Sequence, residues 1–191
     1  HKQSSLSSSF DIATLIDGYA NGLKTAIEEC KDSITFQANA LYELLLVCKD
    51  ANLMSKSHIA EQVDNLLAKI VVDDSNDILV RCRVLETIVM ISSIKTDQPL
   101  STIRGLEPDT MKYAIRRYET SLLEGKKRIV TPRCDAIVNV DLRTRGHKEV
   151  IDQLANAYRK MYNMVMNPNN GYDSPGKMFK YTPELFAEMI M

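Results

Sequence analysis

The sequence predicts an all-α fold, and three observations support that prediction. Only 7 glycines and 6 prolines occur in 191 residues, which leaves few positions for the tight turns of a β-sandwich or barrel. Apolar residues make up 45% of the chain and charged residues 26%, so the chain can bury a core. Apolar side chains recur at steps of three and four, the period of one helix face. We therefore expect seven to eight helices, arranged as successive antiparallel hairpins.

The first two predicted helices form a hairpin. An apolar row with helical period follows the capping residue Ser9 and predicts a helix over 10–31. A second helix is predicted over 33–51, where three consecutive leucines followed by valine make the segment apolar more than halfway around. This second helix is therefore expected to be largely buried.

The next two helices are predicted on either side of an acidic turn. Residues 57–71 carry the clearest amphipathic stripe of the chain. The run Asp-Asp-Ser-Asn-Asp at 73–77 favours a short turn, because acidic side chains stabilise the N-terminus of a following helix. That helix, over 76–95, is apolar on nearly all sides. Together with 33–51 it is expected to lie innermost.

The second half of the chain is predicted to contain three more helices and one ambiguous region. A helix begins at Pro108 and stops before Gly125. A proline within 126–146 excludes a continuous helix there, so this region is either a short helix or an extended segment. Helices over 147–166 and from Pro183 onward complete the prediction, with a polar loop between them.

Pairing these segments gives helical hairpins of similar length. Their bounds are 10–51, 57–95, 107–145 and 147–191. Spans of about 40 residues are typical of HEAT and armadillo hairpins. In architecture the chain resembles HEAT-type modules such as the middle domain of eukaryotic translation-initiation scaffold proteins. That resemblance implies a HEAT-like stack, with an irregular bundle as the alternative, and a non-catalytic scaffold in translation or RNA metabolism.

The chain ends and the cysteines predict the domain boundaries and the cellular compartment. Residues 1–9 are serine-rich and predict a flexible arm, followed by a single helical domain over 10–191. The chain begins with His1 and ends in an apolar helical pattern, which predicts a piece excised from a longer protein. Four widely spaced cysteines without a Cys-x-x-Cys motif favour free, buried thiols. With no apolar run of membrane length, we expect an intracellular protein, cytoplasmic or nuclear, without a membrane partner.

The sequence contains no catalytic or metal-binding motif. Its three histidines and four cysteines lack the spacings of a zinc site. Residues 171–177 match the glycine and lysine spacing of a phosphate-binding loop, but Met178 stands where serine or threonine must bind magnesium. We therefore predict that the protein is not an enzyme and binds no cofactor or metal.

Charge divides the chain unevenly although the net charge is −1. Residues 1–103 contain 9 basic and 14 acidic side chains, whereas 104–148 contain 11 basic and 6 acidic ones. This basic island either binds RNA phosphates or forms a solvated face, and the sequence pI of 6.4 argues against a dedicated nucleic-acid domain. The candidate RNA-binding residues are Arg116, Arg117, Lys126, Lys127, Arg128, Arg133, Arg143 and Arg145.

Methionine and aromatic residues are concentrated near the C-terminus. Core packing explains most of them, but those off the main stripe of 147–166 favour a partner surface. The candidate partner-surface residues are Tyr162, Met164, Met166, Met178, Phe179 and Phe186. The main hypothesis is a non-catalytic protein–protein interaction or scaffold module of a larger intracellular regulatory protein. The alternatives are an RNA-binding domain that uses the basic island and a self-associating structural domain.

Overall fold

Eight α-helices account for most of the described chain, and no strand occurs in it. The computed structural model describes residues 12–29, 33–50, 56–123 and 129–191. The α-helices are α1 (Ile12–Glu29), α2 (Ile34–Asp50), α3 (Lys56–Arg81), α4 (Leu85–Ser93), α5 (Pro108–Leu123), α6 (Pro132–Asp135), α7 (Val140–Met166) and α8 (Pro183–Ile190). Short 3-10 helices occupy Leu100–Thr102, Pro168–Asn170 and Pro175–Lys177. The predicted all-α fold with seven to eight helices is confirmed.

The chain divides into two compact units. The first unit comprises His1–Ala68 and Ile137–Asn139, and the second comprises Lys69–Ala136 and Val140–Met191. Helix α3 contributes residues to both. The expectation of a single domain over 10–191 stays a prediction, and the predicted arm over 1–9 lies outside the described residues.

In the first unit, α1 packs against α2 and buries one face of it. The buried face of α2 includes Ala38, Leu41 and Leu45, whereas Phe36 and Val47 are exposed. The prediction that this helix is largely buried therefore holds for this face, whereas residues outside it are partly or fully exposed. Apolar residues occupy more than half of the circumference of α2, but the described helices of the first unit cover only one face of it.

In the second unit, α7 is the central helix. It packs against α4, α6 and α8, while α5 also packs against α8. The buried residues of α7 are Leu142, Gly146, Val150, Leu154, Ala155, Ala157, Tyr158, Met161, Met164 and Val165. Because they recur at helical spacing over nearly the whole length of α7, this helix provides a rigid support for the elements around it.

The acidic run 73–77 is helical and does not form a turn. Helix α3 passes through it unbroken, so the predictions of separate helices over 57–71 and 76–95 are wrong at their junction. Asp74 is completely buried, and its Oδ2 accepts a hydrogen bond from the backbone N–H of Cys134 at 2.9 Å, 60 positions later. This distant partner stabilises the helical conformation, and the local sequence does not reveal it.

Helix α3 ends instead in a left-handed turn before α4. Arg83 has φ 53°, and the N–H of Val84 donates to the carbonyl of Leu79 at 3.0 Å. This is the Schellman arrangement, whose left-handed position is normally glycine, so an arginine there gives no sequence signal. Within α4 only Ile88 is buried. The expectation that 76–95 forms one innermost helix is therefore wrong.

The ambiguous region 126–146 contains the short helix α6 and the start of α7. Pro132 occupies the first turn of α6, where its missing N–H costs no intrahelical hydrogen bond. Helix α7 begins at Val140, well before the predicted start at 147. The short-helix alternative is thus the one observed, whereas residues 124–128 lie outside the described residues.

The loop between α7 and α8 is packed against an earlier loop of the second unit. Gly171 has φ 71°, and a Cβ atom at that position would lie 2.9 Å from Ser101 Oγ. The buried Tyr172 donates its hydroxyl to the carbonyl of Leu106 at 2.7 Å. Glycine is therefore required at 171 for both its conformation and the close approach.

Three predicted thiols can be placed. Cys48, Cys82 and Cys134 are buried thiols, as predicted, whereas Cys30 lies outside the described residues. Over the described ranges, no helix combines the length and apolar character that a bilayer crossing requires. The same residues include no group of three His, Cys, Asp or Glu side chains placed to hold a metal ion.

Candidate protein-binding site

A groove of ≈ 730 Å³ lies between α4 and α7 in the second unit. Its lining residues are Asn76, Leu79, Leu85, Ile88, Val89, Ser92, Ser93, Gln153, Asn156, Ala157, Arg159, Lys160 and Asn163. Leu79, Ile88 and Ala157 are buried, whereas Val89 is 56% exposed. The groove therefore combines a buried apolar floor with an apolar edge that is open to solvent.

The two walls of the groove differ in chemistry. The α4 wall is apolar at Leu85, Ile88 and Val89, and ends in two serines. The α7 wall is a row of polar side chains at steps of three and four, consisting of Gln153, Asn156, Lys160 and Asn163. Carboxamide groups both donate and accept hydrogen bonds. The groove can therefore bind an apolar surface on one side and polar groups on the other.

The charged residues that line the groove are both cations. Arg159 Nη1 donates to Asn156 Oδ1 at 2.6 Å, and Lys160 Nζ donates to Ser92 Oγ at 3.4 Å. No carboxylate is among the lining residues. Because the hydrogen-bond acceptors of Arg159 and Lys160 are neutral, the α7 wall keeps its positive charge. Its electrostatic potential favours an acidic ligand.

Arg133, predicted to bind RNA, is instead held by aspartates of α3. Its Nη1 lies 2.6 Å from Asp77 Oδ2 and 3.2 Å from Asp74 Oδ1, and its Nε lies 3.9 Å from Asp73 Oδ2. These contacts raise the pKa of the Arg133 guanidinium, with the hydrogen bond to Asp77 as the largest cause. The side chain therefore joins α6 to α3 within the second unit.

Other cations of the basic island also have carboxylate partners. Arg116 lies 3.1 Å from Glu119, and Arg145 lies 3.7 Å from Glu149. Arg117 and Arg143 are partly buried. The predicted residues Lys126, Lys127 and Arg128 lie outside the described residues. The structure thus pairs three of the candidate cations internally, and RNA binding stays a prediction for the island.

Four of the six predicted partner-surface side chains are buried in the second unit. The Phe186 ring stacks on Tyr158, with centroids 4.0 Å apart and planes 7° apart. Tyr162 is partly buried against Phe179, and Met166 is 39% exposed. The buried residues are Met164, Met178, Phe179 and Phe186. Because α8 packs onto α7, these side chains form core, and a surface role stays a prediction for Tyr162 and Met166.

The buried carboxylate of Glu119 connects this aromatic cluster to α5, although the sequence prediction did not include it. Glu119 is 3% exposed. Its Oε1 accepts hydrogen bonds from the Tyr158 hydroxyl at 2.7 Å and from the Lys180 N–H at 2.8 Å, while Oε2 pairs with Arg116. Glu119 lies four positions after the buried Ile115, so helical spacing alone could have placed it on the buried face.

This environment changes the acidity of Tyr158. Burial, together with the hydrogen bond to the Glu119 carboxylate, raises the pKa of the Tyr158 hydroxyl well above its usual value. Both effects disfavour a phenolate, because a second negative charge would lie beside Glu119 with little solvation. The hydroxyl therefore acts as a structural hydrogen-bond donor over the physiological pH range.

Comparison with known proteins places this fold in a family. The model of the family "Conserved Oligomeric Golgi complex subunit 6, C-terminal" matches residues 2–190. Conserved oligomeric Golgi complex subunit 6 of Dictyostelium discoideum is 22% identical over 129 residues, which cover 68% of this chain and 19% of that protein. The protein of the same name from Bos taurus is 23% identical over 166 residues, which cover 83% of this chain and 24% of that protein. The chain thus spans less than a quarter of the length of these relatives. No solved structure matches the chain.

These matches correct two expectations. The resemblance to HEAT-type modules of translation-initiation scaffolds is wrong, because the chain matches a different family. Helical hairpins of about 40 residues occur in many helical proteins and did not identify the family. A role in translation or RNA metabolism has no support. The predicted localisation is also wrong, since the relatives are named as subunits of a Golgi complex and a nuclear location is unsupported. The family is named for a subunit of a complex, which agrees with the prediction of a protein–protein interaction module. With a match over residues 2–190, the chain belongs to the Conserved Oligomeric Golgi complex subunit 6, C-terminal, family.

Proposed function

We propose that this chain is a protein-binding part of a Golgi-complex subunit, and that the α4–α7 groove receives a segment of another subunit. The curated relatives are named as subunits of an oligomeric complex. A subunit must present surfaces that other proteins recognise. Among the described residues, the groove combines an open apolar wall with hydrogen-bonding groups, as such a surface requires.

The open apolar wall of α4 is the observation that carries the proposal. Val89 remains 56% exposed and Leu85 is partly exposed, and both lie beside the buried Ile88 of the groove floor. A docked segment would remove this wall from water, which is worth about 25 cal/mol for each Å² of apolar surface. The facing wall belongs to α7, whose long buried face keeps the row of amides in a fixed position.

A pair of matched substitutions tests the groove. Val89→Glu places a charge on the apolar wall, whereas Val80→Glu changes a valine of α3 that is 55% exposed and does not line the groove. Each variant is introduced into the full polypeptide and purified with the other subunits of its complex. We expect V89E to lose at least one other subunit and V80E to retain all of them.

The folded state of both variants is checked by circular dichroism and thermal unfolding. Both side chains are more than half exposed, so the change in unfolding free energy should stay within about 0.5 kcal/mol. If V89E is folded and assembles as completely as the unchanged protein, the groove is not the docking site.

A further inference from the structure

We infer that the occupant of the α4–α7 groove is an amphipathic helix of another protein, with Asp or Glu on the flank that faces α7. This inference deepens the proposed function and rests on it. It specifies the chemical class of the partner segment, which the family name does not describe.

The length and chemistry of the walls favour a helix as the occupant. The polar row of α7 from Gln153 to Asn163 extends over about 15 Å, or roughly three helical turns. The α4 wall offers apolar side chains and no free backbone edge to pair with an extended strand. A helix satisfies its own backbone hydrogen bonds and can place an apolar row against Leu85, Ile88 and Val89.

The charge of the α7 wall determines the flank of that helix. Arg159 and Lys160 line the groove without any lining carboxylate, and their hydrogen-bond acceptors, Asn156 and Ser92, are neutral. An acidic side chain opposite either cation therefore gains attraction without replacing an existing ion pair. A basic side chain there is repelled. Each contact should change affinity by about twofold to fivefold, as is typical of exposed ion pairs.

A second copy of this chain is a poorer occupant than another protein. Helix α8 does present an acidic and apolar exposed face, with Glu184, Leu185, Glu188 and Met189. If this face docked into the groove of a second copy, the contact would join two different surfaces. Such head-to-tail contacts produce open-ended chains unless the rotation closes a ring. A subunit of a defined complex therefore favours a different protein in the groove.

Two synthetic helical peptides test the inference on the 191-residue chain. Both carry the same leucine row, and their flanks carry glutamates in one and lysines in the other. Fluorescence anisotropy measures the affinity of each peptide for the unchanged chain, for the double variant Arg159→Glu/Lys160→Glu, and for Lys148→Glu. Lys148 is an exposed lysine of the same helix that does not line the groove.

We expect the glutamate peptide to bind at least about fivefold more tightly than the lysine peptide. The double variant should reverse this preference, and K148E should keep it. The preference should also weaken with added salt, because exposed charges are screened. Failure of the glutamate peptide to bind, equal binding of the two peptides, or an unchanged preference in the double variant overturns the inference.

Three further outcomes separate this inference from the proposed function. If the peptides show no charge preference but V89E still loses a subunit, the groove docks a partner whose chemistry differs from the one inferred. If sedimentation shows self-association that the double variant abolishes, the occupant is a second copy and the inference is wrong. If V89E assembles normally, the proposed function fails before the question of charge arises.

Discussion

Helix α7 contributes to two regions of the second unit. They differ in how completely their apolar side chains are buried and their polar groups are paired. In the region shared with α8, the rings of Tyr158 and Phe186 are buried, and the Tyr158 hydroxyl is hydrogen-bonded to Glu119. In the groove shared with α4, Val89 is exposed and both lining cations lack a lining carboxylate. The comparison shows that a high content of methionine and aromatic residues did not identify the exposed surface, since most of those residues are buried. An incompletely covered apolar wall beside uncompensated charge is the more informative feature.

The largest expected effect distinguishes core from surface among the C-terminal candidates. Phe186→Ala removes a fully buried ring and should lower the free energy of unfolding by about 3–5 kcal/mol. Met166→Ala, at a side chain that is 39% exposed, should lower it by about 0.5 kcal/mol or less. Urea denaturation of the two variants measures both values. Similar losses in the two variants would contradict the assignment of Phe186 to the core.

A smaller effect is expected from the buried carboxylate. Glu119→Ala leaves the Lys180 N–H without its acceptor and the Tyr158 hydroxyl with only the Tyr181 carbonyl at 2.9 Å, and should cost about 3 kcal/mol of unfolding free energy. Glu119→Gln keeps one acceptor oxygen and the side-chain volume, so it should cost less. Thermal unfolding of the two variants checks the order. If E119A is as stable as the unchanged chain, the Glu119 hydrogen bonds do not stabilise the second unit.

The smallest effect is an alkaline pH dependence that belongs to the closed region. Unfolded tyrosines ionise near pH 10, whereas burial raises the pKa of folded Tyr158 well above that value and raises the pKa of Tyr172 to about 12. The folded state therefore keeps protons that the unfolded state loses, and the unfolding free energy should fall as pH rises above about 10.

Urea denaturation at a series of pH values measures this slope. Tyr158→Phe keeps the ring and removes one titrating group, so its slope should be smaller than that of the unchanged chain. The groove has no tyrosine among its lining residues, so V89E should leave the slope unchanged. An equal slope in Y158F would show that Tyr158 does not contribute to it.

Much of the fold could be predicted because it follows from local pattern. The helical period predicted α1, α2 and α5 closely, and Pro183 at the first turn correctly predicted the start of α8. The junctions could not be predicted in the same way. Residues 73–77 are helical because Asp74 accepts hydrogen bonds from backbone groups 59 and 60 positions away. The turn after α3 places Arg83 in a left-handed conformation that glycine usually takes.

The candidate site was less predictable than the fold. The groove depends on how α4 packs beside α7, and no spacing within either helix specifies that packing. The partner-surface prediction included Phe186 and Met178 because a short amphipathic segment does not reveal how deeply it will be buried. Glu119 is the exception, since its position four residues after Ile115 could have placed a charge on the buried face, although the sequence prediction did not include it.

Lysine labelling of the assembled complex tests the central claim most directly. The free subunit and the complex are acetylated under the same conditions, and the modification of Lys160 in the groove is compared with that of Lys148, which lies outside it on the same helix. If the groove receives a partner helix, Lys160 should be labelled at least several-fold more slowly in the complex, with Lys148 unchanged. Equal labelling of Lys160 in the free and assembled states would contradict the assignment of the groove as a docking site.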